Sequence, residues 1–302
     1  MSSIIARIQQ LKKDKKAIIL AHNYQLPEVQ DIADYTGDSL GLAQQAAQNN
    51  DAKIIVFCGV HFMAETAAII CPDKTVLIPD LHAGCPLANM ITVRELRELK
   101  KQFPDAVIVT YINSSAEIKA ESDYCCTSSN AVKVVQSIPK EKRIIFIPDQ
   151  HLGSYVNSQT GRNMILWHGY CPTHKRIIAE DILKRKKLYP QSRLVVHPEC
   201  TTEVIALADK VASTSGILKY CRESKDKEFI IGTEIGVLHR LKKENPDKTF
   251  IAASDFADCP NMKLNSLEKI MWSLEDSVYR ITVPEKIAEP ALKSIRRMLA
   301  IK

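Results

Sequence analysis

Short apolar runs alternate with longer amphipathic stretches along the whole chain. The runs that we predict to be strands are apolar almost throughout and span residues 17–21, 54–57, 76–78, 107–111, 144–147, 194–196 and 250–253. Strands without a polar face are typical of parallel sheets that are covered on both sides. Between them lie helical patterns at residues 28–48, 91–102, 131–137, 174–187 and 202–208. This alternation predicts an α/β fold with parallel sheets and crossover helices.

A turn that contains Cys-Pro recurs at a near-constant interval. The copies are Gly84-Cys85-Pro86, Tyr170-Cys171-Pro172 and Asp258-Cys259-Pro260, so Cys171 follows Cys85 by 86 residues and precedes Cys259 by 88. Three strand ends recur in step, at intervals of 89 and 86 residues: His22-Asn23-Tyr24, Tyr111-Ile112-Asn113 and His197-Pro198-Glu199. Two series with nearly the same interval indicate an internal repeat of about 87 residues.

The repeat predicts three pseudo-symmetric domains, each with three α/β/α layers and a short parallel sheet, around a central active-site cavity. The predicted bounds are residues 1–90, 91–175 and 176–265, and a helical segment at 266–302 is expected to pack back on the body. Polar residues that follow the carboxyl ends of parallel strands line the functional edge of a sheet. Each repeat would therefore contribute one cysteine and one set of polar side chains to the cavity.

Three of the nine cysteines, Cys85, Cys171 and Cys259, thus form a candidate ligand set. Converging thiolates suit either a three-cysteine zinc site or a 4Fe–4S cluster. Structural zinc sites usually have four ligands in local pairs. These cysteines are single and far apart in the sequence, which favours a cluster with one iron free of cysteine. The other cysteines are interpreted as buried thiols, at Cys58, Cys71, Cys125, Cys126, Cys200 and Cys221.

Two other functions remain open on this pattern. The same three cysteines would serve a zinc-dependent lyase or hydrolase, or a non-catalytic iron–sulfur binding or sensor protein. The sequence contains no glycine-rich dinucleotide motif, phosphate-binding loop or hydrolase motif. The common nucleotide-binding and hydrolase classes are therefore disfavoured.

The composition is that of an ordinary globular protein, with 45% hydrophobic and 25% charged residues and a formal net charge of +6. Lysine-rich runs at 12–16 and 184–187 lie in helical patterns without interleaved aromatic residues, so no nucleic-acid partner is expected. Arg7 and Lys12 interrupt the first apolar residues, and no apolar run approaches the roughly 18 residues of a membrane span. We therefore expect no signal peptide and no membrane association, and a cytoplasmic protein whose thiols stay reduced.

Motifs spread over nearly the whole chain resemble those of the quinolinate synthase family. They include Ala21-His22-Asn23-Tyr24-Gln25, Gly37-Asp38-Ser39-Leu40, Phe57-Cys58-Gly59-Val60-His61, Thr127-Ser128-Ser129-Asn130, Trp167-His168-Gly169-Tyr170-Cys171, His197-Pro198-Glu199-Cys200, Ser213-Thr214-Ser215-Gly216, Gly232-Thr233-Glu234 and Cys259-Pro260-Asn261-Met262. The sequence departs from the family's pattern at Pro172-Thr173 and at Asp258, beside two of the cysteines. It also lacks the C-terminal C-x-x-C that some members carry.

The resemblance implies condensation of iminoaspartate with dihydroxyacetone phosphate to quinolinate, with loss of phosphate and two waters, in NAD biosynthesis. L-Aspartate oxidase is the implied upstream partner. The resemblance also implies one 4Fe–4S cluster held by Cys85, Cys171 and Cys259, whose remaining iron acts as a Lewis acid on substrate.

By the same resemblance, Tyr24 and Glu199 are the leading acid–base residues, supported by His197 and Tyr111. The residues expected to contact substrate are His22, Ser39, Tyr111, Asn113, Ser128, His174, His197, Glu199 and Thr214. Several of these lie in Ser/Thr/Gly turns at predicted helix starts. Such turns offer backbone N–H groups and a favourable dipole to carboxylate and phosphate oxygens.

Overall fold

The computed structural model describes residues 2–49 and 51–301. Met1, Asn50 and Lys302, which fall inside two of the predicted segments, lie outside the described residues. The strands form three separate sheets, and we name the three lobes of the molecule after these sheets in chain order. The first lobe contains α1 (Ser2–Lys15), β1 (Ala17–His22), α2 (Pro27–Ile32), β2 (Tyr35–Gly37), α3 (Ser39–Gln48), β3 (Ile54–Cys58), α4 (His61–Ile70) and β4 (Thr75–Leu77).

The second and third lobes repeat the alternation of strand and helix. After a 3₁₀ turn at Leu87–Asn89, the second lobe contains α5 (Val93–Gln102), β5 (Val107–Tyr111), α6 (Ala116–Ala120), β6 (Tyr124–Cys126), α7 (Ala131–Ser137), β7 (Ile144–Ile147), α8 (Gln150–Thr160) and β8 (Ile165–Leu166). The third contains α9 (Pro172–Lys175), α10 (Ala179–Leu188), β9 (Arg193–Val196), α11 (Thr202–Ala206), β10 (Lys210–Val211), α12 (Thr214–Glu223), β11 (Glu228–Gly232), α13 (Val237–Glu244) and β12 (Thr249–Ala252), followed by a 3₁₀ turn at Met262–Leu264.

The C-terminal segment ties the first two lobes together. It consists of α14 (Leu267–Asp276), β13 (Arg280–Ile281) and α15 (Glu285–Ala300). Helix α14 packs on α1, β13 pairs antiparallel with β4, and α15 packs on α6 and β6. We expected helix throughout residues 266–302. This expectation is corrected by β13, whose two residues form the edge strand of the first sheet.

All three sheets have the same strand order. The second strand of each lobe lies at the edge, followed by the first, the third and the fourth, and every pair among these strands is parallel. In each lobe the second strand therefore lies on one side of the first strand, and the third and fourth strands lie on the other side. The switch point of the sheet falls between the first and the third strand. In open parallel sheets, ligands bind outside the carboxyl ends of the strands at this switch point.

Strand residues of each sheet divide between two apolar cores, one on each face. In the first lobe, Ile19 and Val56 pack with Leu267 of α14 on one face, whereas Leu20 and Ile55 pack with helices α3 and α4 on the other. Successive residues of a strand point to opposite faces, so both faces need apolar side chains. The predicted fold class is thus confirmed as α/β, with short parallel sheets that are flanked by helices. The domain bounds stay a prediction.

A two-point backbone clamp repeats in the three lobes and was not recognised in the sequence. The residues are Asp34, Asp123 and Asp209, which lie at intervals of 89 and 86 residues, like the strand ends. Each aspartate accepts a hydrogen bond from a backbone N–H of the first strand, at Ile19, Ile108 and Leu194, with distances of 2.7, 2.8 and 2.7 Å. Its own backbone N–H donates to the carbonyl of the same strand residue. The clamp fixes where the second strand begins against the first.

The predicted single helix over 28–48 is wrong. The structure divides this stretch into α2 and α3, with β2 between them. The strand forms because Asp34 is clamped to Ile19, which places Tyr35–Gly37 alongside β1. The short strands β6, β8 and β10 and the five-residue strand β11 were also absent from the sequence prediction, whereas 107–111 and 144–147 are confirmed to the residue. In the described residues, no helix combines the length and the apolar character that crossing a membrane requires.

We predict that Asp123→Ala lowers the free energy of unfolding by about 1–3 kcal/mol, because it leaves the Ile108 N–H of a half-buried strand without its acceptor. The matched control is Asp105→Ala, at an exposed aspartate of the same lobe, which should change stability by no more than about 0.5 kcal/mol. Urea unfolding of the two variants makes the comparison. Equal losses of stability in both would contradict the clamp.

Candidate active site

The carboxyl ends of the three sheets meet at one central cavity. It encloses about 660 Å³ of space not filled by atoms, part of which is open to solvent. Each lobe contributes the polar residues that follow its first strand, namely His22 and Tyr24, Tyr111 and Asn113, and His197 and Glu199. The shared strand order explains this arrangement, because the first strand of each lobe borders the switch point.

Every residue that the sequence singled out lines this cavity. These residues are His22, Tyr24, Ser39, Cys85, Tyr111, Asn113, Ser128, Cys171, His174, His197, Glu199, Thr214 and Cys259. The cavity is also lined by Asp38, Val60, Phe62, Met63, Gly84, Thr127, Thr173, Glu234 and Met262, to which the sequence analysis gave no role. The structure brings the predicted residues together, and their individual roles stay predictions.

The three cysteine turns are held in the same way. The backbone N–H of the third residue after each third strand (β3, β7 and β11) donates to the carbonyl two residues before the cysteine. The pairs are His61 to Ala83 (2.7 Å), Gln150 to Gly169 (2.8 Å) and Ile235 to Ala257 (2.9 Å). The turn that follows each cysteine is helical, at Leu87–Asn89, Pro172–Lys175 and Met262–Leu264. The cysteines are therefore equivalent in structure as well as in sequence.

The three sulfurs lie in a similar environment. Burial raises the pKa of the Cys85 thiol to about 12, and it also raises the pKa values of Cys171 and Cys259. In each case the backbone N–H three residues on hydrogen-bonds the sulfur and partly offsets this rise. Buried thiols ionise when a cation binds them, because the metal replaces the proton.

Two sets of donors in the cavity could hold a metal. The three cysteines offer soft thiolate ligands, and this donor chemistry fits an iron–sulfur cluster. Cys171 also belongs to a second group, with His174 and Glu199, whose ligand atoms lie within 4.8 Å of one another. The sequence analysis did not recognise this mixed group, which resembles the nitrogen, sulfur and oxygen donors of zinc sites.

A chain of hydrogen bonds joins the first lobe to the third across the cavity wall. The Tyr24 hydroxyl lies 2.7 Å from Thr233 Oγ1, which in turn lies 2.8 Å from His174 Nε2. His174 Nδ1 lies 2.9 Å from Glu199 Oε2. The Tyr24 hydroxyl also contacts Thr214 Oγ1 at 2.9 Å, at the start of α12.

The charge of Glu199 sets the direction of this chain. Burial alone would raise its pKa, but His174 and then His197 hold the pKa below its ordinary value. An ionised Glu199 accepts a hydrogen bond from His174 Nδ1, and in the neutral form of His174 the other ring nitrogen, Nε2, accepts from the Thr233 hydroxyl. Thr233 can then accept from Tyr24. The chain can therefore run from donor to acceptor in one direction, from Tyr24 through Thr233 to His174.

The other two histidines of the cavity are neutral. Burial lowers the pKa of His22 to about 4, and burial together with His174 lowers the pKa of His197 to about 3. His197 stacks on His174, with ring centroids 4.6 Å apart, and its Nε2 donates to Ser128 Oγ at 3.1 Å. The donor assignment follows from Nδ1, which accepts the backbone N–H of Glu199 at 3.3 Å.

Among the polar residues at the site that sequence reasoning missed, Thr233, Glu234 and Lys263 make specific contacts. Thr233 links Tyr24 to His174, and Glu234 forms an ion pair of 2.8 Å with Lys263. Thr233 and Glu234 directly follow β11, which was not predicted as a strand. Thr233 and Glu234 follow the third strand of their lobe, as Asp149 does in the second lobe. This shared position in the repeat is the signal that could have identified them. The prediction that the six other cysteines are buried is confirmed.

The fold and the site define an α/β enzyme in which three lobes surround a thiol-lined cavity that could hold a metal. The chain belongs to the family described as quinolinate synthetase A protein, whose model matches residues 6–300. It is 55% identical to the quinolinate synthase of Dehalococcoides mccartyi over 295 residues, which cover 98% of this chain and 97% of the relative. The predicted family is thereby confirmed.

Two further relatives are similarly close over their full length. The quinolinate synthase of Methanosarcina barkeri is 52% identical over 301 residues, which cover 100% of this chain and 98% of the relative. That of Geotalea uraniireducens is 56% identical over 294 residues, which cover 97% and 96%. The matched stretch spans nearly the whole chain in each case and therefore extends through all three lobes.

We predict that the metal-free chain loses stability as the pH falls from about 6.5 to 4, partly through His22. Its folded pKa of about 4 lies below the ordinary value of about 6.5, so the unfolded chain binds more protons in this window. The full shift corresponds to about 3 kcal/mol. In His22→Gln the loss of stability over this pH range should be smaller by about this amount. His168→Gln, which removes an exposed histidine, should behave as wild type. Urea unfolding at a series of pH values measures how steeply the free energy of unfolding changes with pH. The same pH dependence in all three chains would contradict a neutral, buried His22.

Proposed function

We propose that the protein condenses iminoaspartate with dihydroxyacetone phosphate to quinolinate, with loss of phosphate and two waters. The observation that carries this proposal is the proton-transfer chain from Tyr24 through Thr233 and His174 to Glu199, which borders a cavity with three cysteines. Formation of an aromatic ring by condensation and dehydration requires repeated removal and delivery of protons. General acid–base groups that exchange a proton along a fixed path suit such steps.

Tyr24 is the residue that would exchange protons with substrate. Burial raises its pKa well above the ordinary value, so the phenol is neutral in the resting site. As a proton leaves Tyr24, His174 accepts one from Thr233, and the adjacent Glu199 carboxylate stabilises the imidazolium that forms. The same groups return the proton to a departing hydroxyl. Tyr111 and His197 also line the cavity, where His197 stacks on His174, and would support these transfers.

Anionic groups of the substrates would bind where helices begin. Ser39 opens α3, Thr214 opens α12, and Ser128 precedes α7, so helix starts from all three lobes face the cavity. Helix N-termini attract carboxylate and phosphate oxygens through free N–H groups and the helix dipole. Two buried acceptors, Glu199 Oε1 and Asn113 Oδ1, have no hydrogen-bond partner among the described residues. Amine or hydroxyl groups of a substrate would supply the missing donors.

Cys85, Cys171 and Cys259 would hold a 4Fe–4S cluster. When bound, the cluster supplies Lewis-acid chemistry at the iron that has no cysteine ligand. The protein's own contribution is to present three equivalent sulfurs to one cavity and to surround them with apolar residues that include Met63, Phe62 and Val60. We further propose that iminoaspartate is supplied by an enzyme that oxidises L-aspartate, such as L-aspartate oxidase.

A zinc-dependent lyase is the second candidate function. The observation in its favour is the group formed by Cys171, His174 and Glu199, which could bind a single zinc ion. In this alternative His174 is a metal ligand and cannot accept a proton from Thr233. The two candidates thus differ in the role of one histidine as well as in the metal.

We predict that Tyr24→Phe lowers kcat for quinolinate formation by about 10²–10⁴-fold, with little effect on KM, because it removes the group that exchanges protons and keeps the ring. Tyr279→Phe, at a tyrosine on the surface, is the control and should retain wild-type rates. Quinolinate is measured under anaerobic conditions with both substrates. Wild-type protein that holds its cluster and forms no quinolinate would contradict the proposal and favour the sensor function.

We predict that Cys85→Ser, Cys171→Ser and Cys259→Ser each lose the iron–sulfur cluster, since each removes one of three equivalent ligands. Cys125→Ser is the matched control, because Cys125 is buried away from the cavity against Ser294, and it should retain the cluster. Iron, sulfide and zinc are determined per chain after anaerobic purification. Zinc without sulfide in the wild-type protein would support the lyase and refute the cluster.

A further inference from the structure

Glu234 is a buried carboxylate in the cavity wall to which the proton-transfer chain gives no role. It follows β11 in the third lobe, directly after Thr233, and its side chain is fully buried. Its Oε1 accepts the backbone N–H of Cys259 at 3.0 Å, and its Oε2 accepts the backbone N–H of Gly236 at 2.7 Å. The carboxylate therefore holds the amide of one of the three cysteines directly.

Lys263 completes the contact. It belongs to the 3₁₀ turn that follows Cys259, and its Nζ lies 2.8 Å from Glu234 Oε1. The same ammonium group donates to the backbone carbonyl of Tyr24, in the first lobe. One ion pair thus joins the Cys259 turn of the third lobe to the segment that carries Tyr24.

The surrounding packing leaves no space for this contact to shift. A Cβ atom at Gly236 would lie 2.7 Å from Lys263 Nζ, 2.8 Å from Glu234 Oε2 and 2.8 Å from the backbone of Tyr24. Glycine is therefore required where the two lobes approach each other. On the far side, Gln30 Nε2 donates to the carbonyl of Gly236 at 3.0 Å, which adds a second bond between the same lobes.

We propose that Glu234 and Lys263 are positioning residues that hold the Cys259 turn and the Tyr24 segment in a fixed relation across the boundary between the first and third lobes. A buried carboxylate that accepts two amides and a lysine keeps its place because each lost contact would leave a buried charge or donor unpaired. The ion pair contacts the backbone N–H groups of Cys259 and Gly236 and the carbonyl of Tyr24. It acts through Cys259 and Tyr24, and in this respect the inference rests on the roles proposed for those two residues.

The test uses the reactivity of the cavity cysteines in the full-length, metal-free chain. Glu234→Gln keeps only one of the two oxygens that accept backbone hydrogen bonds. Lys263→Met removes the cation and keeps most of the side-chain length. Each variant should raise the rate of Cys259 alkylation by iodoacetamide about tenfold relative to Cys85, because only the Cys259 turn is released. Lys263→Arg, which keeps the charge, should restore most of the protection.

Lys12→Met is the matched control. Lys12 is a largely buried lysine on α1 that pairs with Asp34 at 2.7 Å, and neither residue lines the cavity. Its loss should leave the ratio of Cys259 to Cys85 alkylation unchanged. Rates are read for each cysteine from the same sample by peptide mass spectrometry, so general destabilisation cancels in the ratio. Equal acceleration of all three cavity cysteines, or no acceleration, would overturn the inference.

A second readout follows the loaded enzyme. Lys263→Met should lower kcat for quinolinate formation about tenfold with KM unchanged, since Tyr24 is displaced while the substrate contacts remain. An equal loss in Lys12→Met would contradict a specific positioning role. Wild-type protein without quinolinate synthase activity would refute the proposed function, and the alkylation ratio would still decide whether Glu234 and Lys263 hold the Cys259 turn.

Discussion

A backbone hydrogen bond from the turn after the third strand to the carbonyl before each cysteine holds the cysteine turn in all three lobes. His61, Gln150 and Ile235 provide the N–H groups. Because this bond is made by the backbone, it does not depend on side-chain identity, and it recurs although the three turns differ in sequence. Each sheet delivers its cysteine to the same relative position, and three lobes around one cavity therefore bring three sulfurs together.

The same arrangement explains why the residues proposed for acid–base chemistry share a cavity with the cysteines. The first and third strands of each lobe are neighbours, so the residue that follows the first strand lies beside the turn held by the third. Tyr24 and Glu199 thus come from different lobes and still belong to one chain of hydrogen bonds. The cost of burying these polar groups is offset because nearly every donor and acceptor finds a partner. Two acceptors that do not, Glu199 Oε1 and Asn113 Oδ1, belong to side chains that line the space where substrates would bind.

Much of the fold and the site followed from the sequence because the repeat is visible there. The interval between Cys85, Cys171 and Cys259 identified the lobes, and the strand ends in the same phase identified most of the polar lining. The short strand β2 was missed because three residues carry almost no periodicity, and its position depends on the Asp34 clamp. Thr233 and Glu234 were missed for a similar reason, since their role arises from contacts with a different lobe that no local pattern records.

The central claim is that Cys85, Cys171 and Cys259 bind one cluster while His174 remains free to accept a proton. Anomalous diffraction at the iron absorption edge, from crystals grown without oxygen, tests it most directly. The account predicts a single compact iron signal in contact with the sulfurs of all three cysteines and none bonded to His174. A signal at the zinc edge between Cys171, His174 and Glu199 would contradict both the ligand set and the proton-transfer chain.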